Sequence, residues 1–216
     1  MVQLTANKIC YRSVEGRSLD QWIESLDLNV ISRATDEYFD TIDGAFFKRG
    51  IFIKLKNSHL LEISANPAHS HEVIPSEHTI RDYRFPVPFD PHKMGSFYEL
   101  EELIGLKRPR PFMFSHFLGC NSLRSLVTLD KIRKTYKNQA APLINIAIDQ
   151  FSGLGTFVEF TAINSAVPYP VEAFTADVHR LVKNLPLIPF NDGFVELALR
   201  ETDAELYLQG QKVISA

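Results

Sequence analysis

Cysteine and long apolar runs are the features that this sequence most plainly lacks. Its two cysteines, Cys10 and Cys120, are far apart and without a CxxC spacing, which excludes a disulfide framework and a cysteine zinc site and predicts reduced, buried thiols. No run of about 18 apolar residues occurs, and the segment MVQLTANKICYRS has no apolar stretch of signal-peptide length. The sequence therefore predicts a cytoplasmic protein without membrane association.

An excess of positive charge is also missing. The chain has 23 Lys and Arg against 26 Asp and Glu, a formal net charge of -3, which gives no overall attraction to nucleic acid. The one short basic run, at residues 107–110, is too isolated to change this and is interpreted as the exit of a surface helix. The expected partners are small anionic molecules, and the sequence leaves the oligomeric state open.

Apolar and aromatic volume, in contrast, is abundant. Hydrophobic residues make up 45% of the chain and charged residues 23%, with sixteen Phe among the 216 residues. This is the composition of a folded globular protein with a substantial core, and the length fits one domain, 1–216. Most of the Phe are interpreted as core residues, although so many could also line a cavity.

The clearest periodic segment is Ile51–Lys56, in which apolar residues alternate with the set Phe52, Lys54 and Lys56. Such alternation predicts a strand with two unlike faces. Residues 60–64, which include Glu62, are the predicted hairpin partner. From the alternation alone, the two lysines could lie on a solvated face or point inward to hold an anion.

Further elements are predicted from the same kinds of pattern. Strands are predicted at residues 2–11, 79–85, 126–136, 144–149, 156–162 and 193–199, and helices at residues 18–26, 96–106 and 171–185. Many antiparallel strands interrupted by a few helices predict an α+β domain, in the form of an antiparallel β-barrel that is clad by helices and has a usable interior.

A series of short motifs follows the chain over nearly its whole length. They are YFDT at 38–41, GIFIKLK at 50–56, LEIS at 61–64, KIR at 131–133, DQFSGLGTF at 149–157, EFT at 159–161 and FVEL at 194–197. In this order they resemble the motifs of the CYTH family, the triphosphate tunnel enzymes that include thiamine triphosphatases and class IV adenylate cyclases. Within the first motif, Tyr38 and Asp40 are interpreted as packing and turn residues.

The resemblance implies a tunnel in which lysines and arginines bind triphosphate while glutamates hold Mg²⁺ or Mn²⁺. This sequence departs from the family at its first strand, ExExK. With Lys8 on the motif's lysine, Leu4 and Ala6 stand where the glutamates belong, and a shift by one residue recovers no carboxylate. Thr161 replaces a further glutamate and Ser64 a lysine. We therefore predict no metal site and no cofactor.

The inward residues implied by strand parity and the resemblance fall into two sets. The expected anion-binding residues are Lys8, Lys54, Lys56, Arg133 and Phe52. The expected catalytic residues are Glu159, Glu62 and Lys54. Crowding could lower the pKa of a tunnel lysine and make it a neutral base, and apolar neighbours could raise the pKa of either glutamate and make it a general acid. Glu159 could equally be a structural partner of a basic residue.

Three functions follow as hypotheses. The leading one is a diverged tunnel enzyme that binds a small, partly apolar organic anion, a carboxylate or a phosphate, and performs metal-independent acid/base chemistry such as isomerisation, cyclisation or elimination. The first alternative is a Mg²⁺-dependent triphosphatase or nucleotidyl cyclase, in which Glu62, Asp82 or Glu196 rebuilds the metal site. The second alternative is an anion-binding module without turnover.

Overall fold

The computed structural model of the chain describes residues 8–14, 17–65, 81–139, 141–163, 169–190 and 193–214. The elements are β1 (Lys8–Ser13), α1 (Arg17–Glu24), β2 (Asp27–Asp40), β3 (Ile51–Lys56), β4 (Leu60–Ala65), β5 (Arg81–Pro86), α2 (Ser96–Ile104), α3 (Phe114–Cys120), β6 (Arg124–Lys137), β7 (Ile144–Phe151), β8 (Gly155–Ala162), α4 (Val171–Val182), β9 (Leu187–Pro189), α5 (Phe194–Thr202) and α6 (Ala204–Ile214). Within these ranges, no helix is long and apolar enough to cross a membrane.

The nine strands of the described residues form one antiparallel sheet in the order β5-β4-β3-β2-β6-β7-β8-β1-β9. The predicted α+β class, with an antiparallel sheet and a few helices, is confirmed. The chain divides into two compact units. The first unit comprises Met1–Ala34 and Asp130–Gly193, and the second comprises Thr35–Leu129 and Phe194–Ala216. The single domain 1–216 stays a prediction.

In the first unit, β6, β7, β8, β1 and β9 lie side by side. One face of these strands is apolar, with Ile146 and Phe160 fully buried, and it packs against α1 and α4 through Leu19 and Phe174. Because side chains alternate along a strand, the charged residues of the same strands lie on the face that turns away from these helices.

In the second unit, β3 shows the alternation that the sequence predicts. Ile51, Ile53 and Leu55 are buried, and the residues between them are half-buried on the opposite face. The buried face packs against α2 and α3. The hairpin to β4 is also confirmed, with Asn57 and Ser58 both at positive φ in its turn.

The predicted closing strand at residues 193–199 is wrong, because this segment forms helix α5. Val195 and Leu199 stand four residues apart and therefore share one face of the helix, where they pack with Phe47 and with Leu206 of α6. Of β2, the sequence predicts only a brief extended piece at residues 38–41; residues 27–37, helices α3 and α6 and the strand β9 were not predicted. The two cysteines are free as predicted, but one is half-buried and the other exposed.

Candidate functional site

Five charged side chains and one phenol lie together across four strands of the second unit, in a group that we call the β3 cluster: Asp36, Tyr38, Lys54, Lys56, Glu62 and Arg84. Lys54 Nζ lies 2.8 Å from Glu62 Oε2 and 3.9 Å from Asp36 Oδ2. Arg84 Nε lies 3.3 Å from Glu62 Oε1. The strand register explains these contacts, because Lys54 is paired with Glu62 and Glu62 in turn with Arg84.

Ion pairing outweighs burial in setting the charge states of this cluster. Burial lowers the pKa of Lys54, but Tyr38, Asp36 and Glu62 raise it more, so that the net shift is upward. Burial raises the pKa of Glu62, but Lys54 and the other cations lower it, and its net shift is downward. At neutral pH the lysine is therefore an ammonium and the glutamate a carboxylate. These directions run against the neutral lysine and the protonated glutamate that the sequence left open for this pair.

The aromatic members of this face border the charges but belong to an apolar cluster. The Phe52 ring lies edge-on to Phe47, with centroids 6.0 Å apart, and packs with Tyr38 against Val195 and Leu199. Burial raises the pKa of Tyr38 to about 12, so its phenol stays neutral. Phe52, which the sequence predicts as a substrate-binding residue, thus lies two positions before Lys54 on β3 and packs against the apolar cluster.

We expect Glu62→Gln to reduce the loss of stability in acid. Because the folded pKa of Glu62 is lowered, its contribution to stability is complete above its ordinary value of 4.5 and is lost as the pH falls through the folded pKa. Urea unfolding between about pH 3 and pH 7 should show a shallower decline for the variant. Glu37→Gln, on the opposite face of β2, is the matched control; equal slopes for both variants and the wild type would contradict this account.

A second group of charges lies in the first unit and is called the β8 cluster: Lys8, Lys131, Arg133, Asp149 and Glu159. Arg133 binds Asp149 with two nitrogens, Nε and Nη2, each 2.6 Å from a carboxylate oxygen. Its Nη2 also lies 3.3 Å from Glu159 Oε1. Lys8 Nζ is 2.6 Å from Glu159 Oε2, and Lys131 Nζ is 3.6 Å from Asp149 Oδ2.

Glu159 is an ionised partner in this cluster. Its side chain is only 9% exposed, and this burial raises the pKa of the carboxyl. The charges of Lys8 and Arg133 lower the pKa by more than burial raises it, so the net shift is downward. The hydrogen bond to Asp149 raises the pKa of Arg133. Cys10 is the register partner of Glu159, and burial raises the pKa of its thiol to about 12. Of the two roles weighed from the sequence, the geometry favours the structural ion-pair partner over the protonated acid.

The carboxylates of the described chain do not form a donor set for a divalent metal. In the β8 cluster, both oxygens of Asp149 and both of Glu159 already lie beside a nitrogen of the protein, whereas Mg²⁺ is held through carboxylate oxygens and water. No group of three His, Cys, Asp or Glu side chains is arranged to hold a metal within the described ranges. Leu4 and Ala6 lie outside these ranges.

The residues proposed for rebuilding a metal site are engaged elsewhere. Glu62 is held by Lys54 and Arg84. Asp82 accepts a hydrogen bond of 2.6 Å from the hydroxyl of Ser64, and Glu196 lies on α5 in place of the predicted strand. These three carboxylates therefore give no support to a metal-dependent step.

The predicted site residues lie in the two clusters, except for Phe52, which borders the β3 cluster. Lys54, Lys56, Glu62 and Phe52 share one face in the second unit, while Lys8, Arg133 and Glu159 share one in the first. Sequence reasoning missed Asp36, Arg84, Lys131 and Asp149 as site residues. Lys131 and Asp149 each open one of the quoted motifs and could have been placed by parity with Arg133 and Glu159; the other two depend on strand pairings that no local pattern specifies. A separate pocket of about 320 Å³ on α3 contains none of the predicted residues.

The fold of this chain is similar to that of solved structures described as putative adenylate cyclases, in agreement with the fold that its motifs predict. A putative adenylate cyclase from Bacillus halodurans is similar in structure, with a TM-score of 0.53 at 12% identity over 91% of this chain and 98% of that one. The putative adenylyl cyclase HpAC1 from Hippeastrum, described as having a dominant triphosphatase activity, gives 0.52 at 14% identity over 90% and 94%. The PH1819 protein from Pyrococcus horikoshii gives 0.52 at 16% over 90% and 99%.

These likenesses show the fold alone, because all three identities are low. No family model matches the sequence, and no curated protein does.

Proposed function

We propose that this chain binds a small, partly apolar organic anion, a carboxylate or a phosphate, and performs acid/base chemistry on it without a divalent metal. The reaction that we propose is an isomerisation, a cyclisation or an elimination. The observation that carries the proposal is the β3 cluster, in which a protonated lysine and an ionised glutamate lie 2.8 Å apart with two further cations beside them.

The accessible cations of the β3 cluster suit an anionic ligand. Lys54, Lys56 and Arg84 share the face with Asp36, Glu62 and, beside Ser64, Asp82, so an anion would compete with these carboxylates for the cations. The side chain of Arg84 is 54% exposed, so its guanidinium remains accessible to a ligand. Guanidinium and ammonium groups bind carboxylate and phosphate through charge-assisted hydrogen bonds. The aromatic rings that border the cluster suit an apolar body on the same ligand.

We assign the two catalytic roles in reverse of the expectation from sequence, in line with the pKa directions. Glu62 is the base, which takes a proton from a carbon next to the bound anionic group. Lys54 is the acid, whose ammonium stabilises the negative charge that develops and protonates the departing or enolic oxygen. When an anionic substrate pairs with Lys56 and Arg84, these cations lower the pKa of Glu62 less. Glu62 therefore becomes a stronger base on substrate binding.

A solvent-exchange experiment tests this chemistry directly. A panel of small carboxylic acids and phosphate monoesters is incubated with the protein in D₂O containing a chelator, and NMR follows deuterium incorporation and product formation. We expect turnover in chelator, with a loss of roughly 10²- to 10⁴-fold in Glu62→Gln. The matched control Glu37→Gln should keep full activity, since its side chain lies on the other face of the sheet. Turnover that survives in Glu62→Gln would remove this residue from the mechanism.

Inorganic triphosphate and thiamine triphosphate with Mg²⁺ complete the panel, because HpAC1, which shares the fold, is described with a triphosphatase activity. Phosphate release that the chelator abolishes would contradict the proposal and establish a metal-dependent triphosphatase. Thermal stabilisation by a ligand with no product under any condition would instead identify a binding module.

A further inference from the structure

The first half of β2 has one open side. β2 is hydrogen bonded to β6 on one side, and on the other its pairing with β3 covers only residues 36–39. Within the described residues, no strand continues that side along residues 27–33, a segment that we call the β2 edge. All of its residues are exposed, including Leu28 (52%), Val30 (50%) and Ile31 (57%). Backbone groups and apolar side chains of the β2 edge are therefore accessible to another chain.

The backbone of Thr35 shows which groups point to the open side. Its carbonyl oxygen accepts a hydrogen bond from the N–H of Asn57 at 2.8 Å, and its N–H donates to Asn57 Oδ1, also at 2.8 Å. Both backbone groups of Thr35 thus point toward β3. Because this direction alternates from one residue to the next along a strand, the odd-numbered residues of the β2 edge direct their N–H and C=O groups to the open side.

The outer strands of the sheet carry features that prevent pairing with another chain, and the β2 edge has none of them. β9 is three residues long and ends at Pro189, and β5 contains three charged residues and ends at Pro86. The β2 edge, with the sequence DLNVISR, contains no Pro, Gly or Lys, and its charges lie only at its two ends. A long exposed edge of this composition is a template for a further strand.

The charges of the β2 edge complement those of a second, antiparallel copy. Pairing about a two-fold axis at Val30 places Asp27 of each copy opposite Arg33 of the other. Odd-numbered residues then meet odd-numbered residues, as the backbone directions require. A shift by two residues in either direction keeps the backbone bonds but separates the charges. Leu28 of each copy lies diagonal to Val30 of the other, which gives an apolar stripe along one face.

Both charged groups have capacity for a further partner. Among the described residues, Arg33 has no ion pair, and Asp27 accepts one hydrogen bond, from Gln139 Nε2 to its Oδ2 at 3.1 Å. Both residues are exposed at the ends of the edge.

We propose that the β2 edge joins two copies of this chain into a dimer, by antiparallel pairing of residues 27–33 about a two-fold axis at Val30. The occupant is a second copy because the edge is complementary in charge to its own reversed sequence. Each copy closes the open side of the other, so that assembly stops at the dimer. The inference goes beyond the proposed function and uses no residue of the two charge clusters.

Sedimentation equilibrium of the full chain, from about 1 μM to 1 mM, tests the inference. We expect the wild type to dimerise as its concentration rises. Arg33→Asp places like charges opposite each other at both ends and should weaken the dimer roughly tenfold or more. Combining it with Asp27→Arg restores opposite charges and should restore the wild-type affinity. Lys183→Asp, an equal charge reversal at an exposed position after α4, is the matched control and should change nothing.

Asn29→Pro tests the backbone pairing separately. It removes an N–H that points to the open side and leaves the bonds to β6 in place, so the variant should fold and remain monomeric. Circular dichroism checks the fold of each variant, and the charge variants provide the readout if Asn29→Pro does not fold.

Four results would overturn the inference: a wild type that stays monomeric at every concentration, whatever else binds the edge; a dimer that persists unchanged in folded Asn29→Pro; a charge swap that fails to restore the affinity lost in Arg33→Asp; or growth beyond the dimer. Turnover in the solvent-exchange experiment tests the proposed function independently of all four.

Discussion

Arg133→Met is expected to lower the free energy of unfolding by about 3–5 kcal/mol, the cost of leaving a buried charge without its partner. The guanidinium binds both oxygens of Asp149 at 2.6 Å, and that carboxylate is 1% exposed. Methionine fills similar space but offers no hydrogen bond. Asp149 would then keep only Lys131, at 3.6 Å among the contacts described, to offset its charge. Urea unfolding at pH 7 measures the loss.

Two comparisons separate the lost charge pair from general damage to the sheet. Arg180→Met removes an arginine from the exposed pair with Asp177 on α4 and should cost no more than about 1 kcal/mol. Adding Asp149→Asn to Arg133→Met should restore part of the stability, since the neutral amide no longer needs a counter-charge. If Arg133→Met costs as little as the surface control, the buried pair is not the stabilising element described above.

The hairpin of β3 and β4 is the part of the site that sequence alone could predict. Its alternation is local, and residues 57 and 58 fix the turn, so that the pairing of Lys54 with Glu62 follows from counting along one short segment. The aspartate and the arginine that complete the cluster come from β2 and β5. Residues 66–80 separate β4 from β5 in the sequence. No local pattern fixes the length of such a connection, so the register of β5 against β4 cannot be derived by counting along the chain.

The error at α5 has a similar physical origin. In FVELALR, Val195, Leu197 and Leu199 satisfy the period of a strand, while Val195 and Leu199 also satisfy the spacing of a helix face. Contacts with Phe47 and with α6 decide between the two, and these are tertiary contacts that the segment does not encode. The charge states could not be derived from sequence for the same reason. Burial alone would raise the pKa of Glu62, and the cations that reverse the shift lie on other strands.

Asp40→Ala is expected to cost about 3 kcal/mol or more, because it leaves three backbone N–H groups without their acceptor. The carboxylate accepts hydrogen bonds from the backbone nitrogens of Thr41 at 2.7 Å, Phe46 at 3.0 Å and Phe47 at 2.7 Å, and Asp40 is 1% exposed. The interpretation of this residue as a turn residue is confirmed. Denaturant unfolding of the variant measures the cost, with Asp43→Ala as the control, since Asp43 is exposed and accepts from the hydroxyl of Thr41.

This turn also leads into the strand that carries Lys54. Loss of the hydrogen bonds of Asp40 should therefore reduce turnover under conditions in which the variant is still folded. Phe47, which the carboxylate of Asp40 anchors, packs edge-on against Phe52, and that ring stands two positions from the lysine on the same face of β3. A loosened turn therefore misplaces the ammonium relative to Glu62. We expect Asp40→Ala to reduce turnover in chelator at temperatures well below its own unfolding midpoint, while Asp43→Ala does not. Full activity of folded Asp40→Ala would show that the turn stabilises the protein without positioning the lysine.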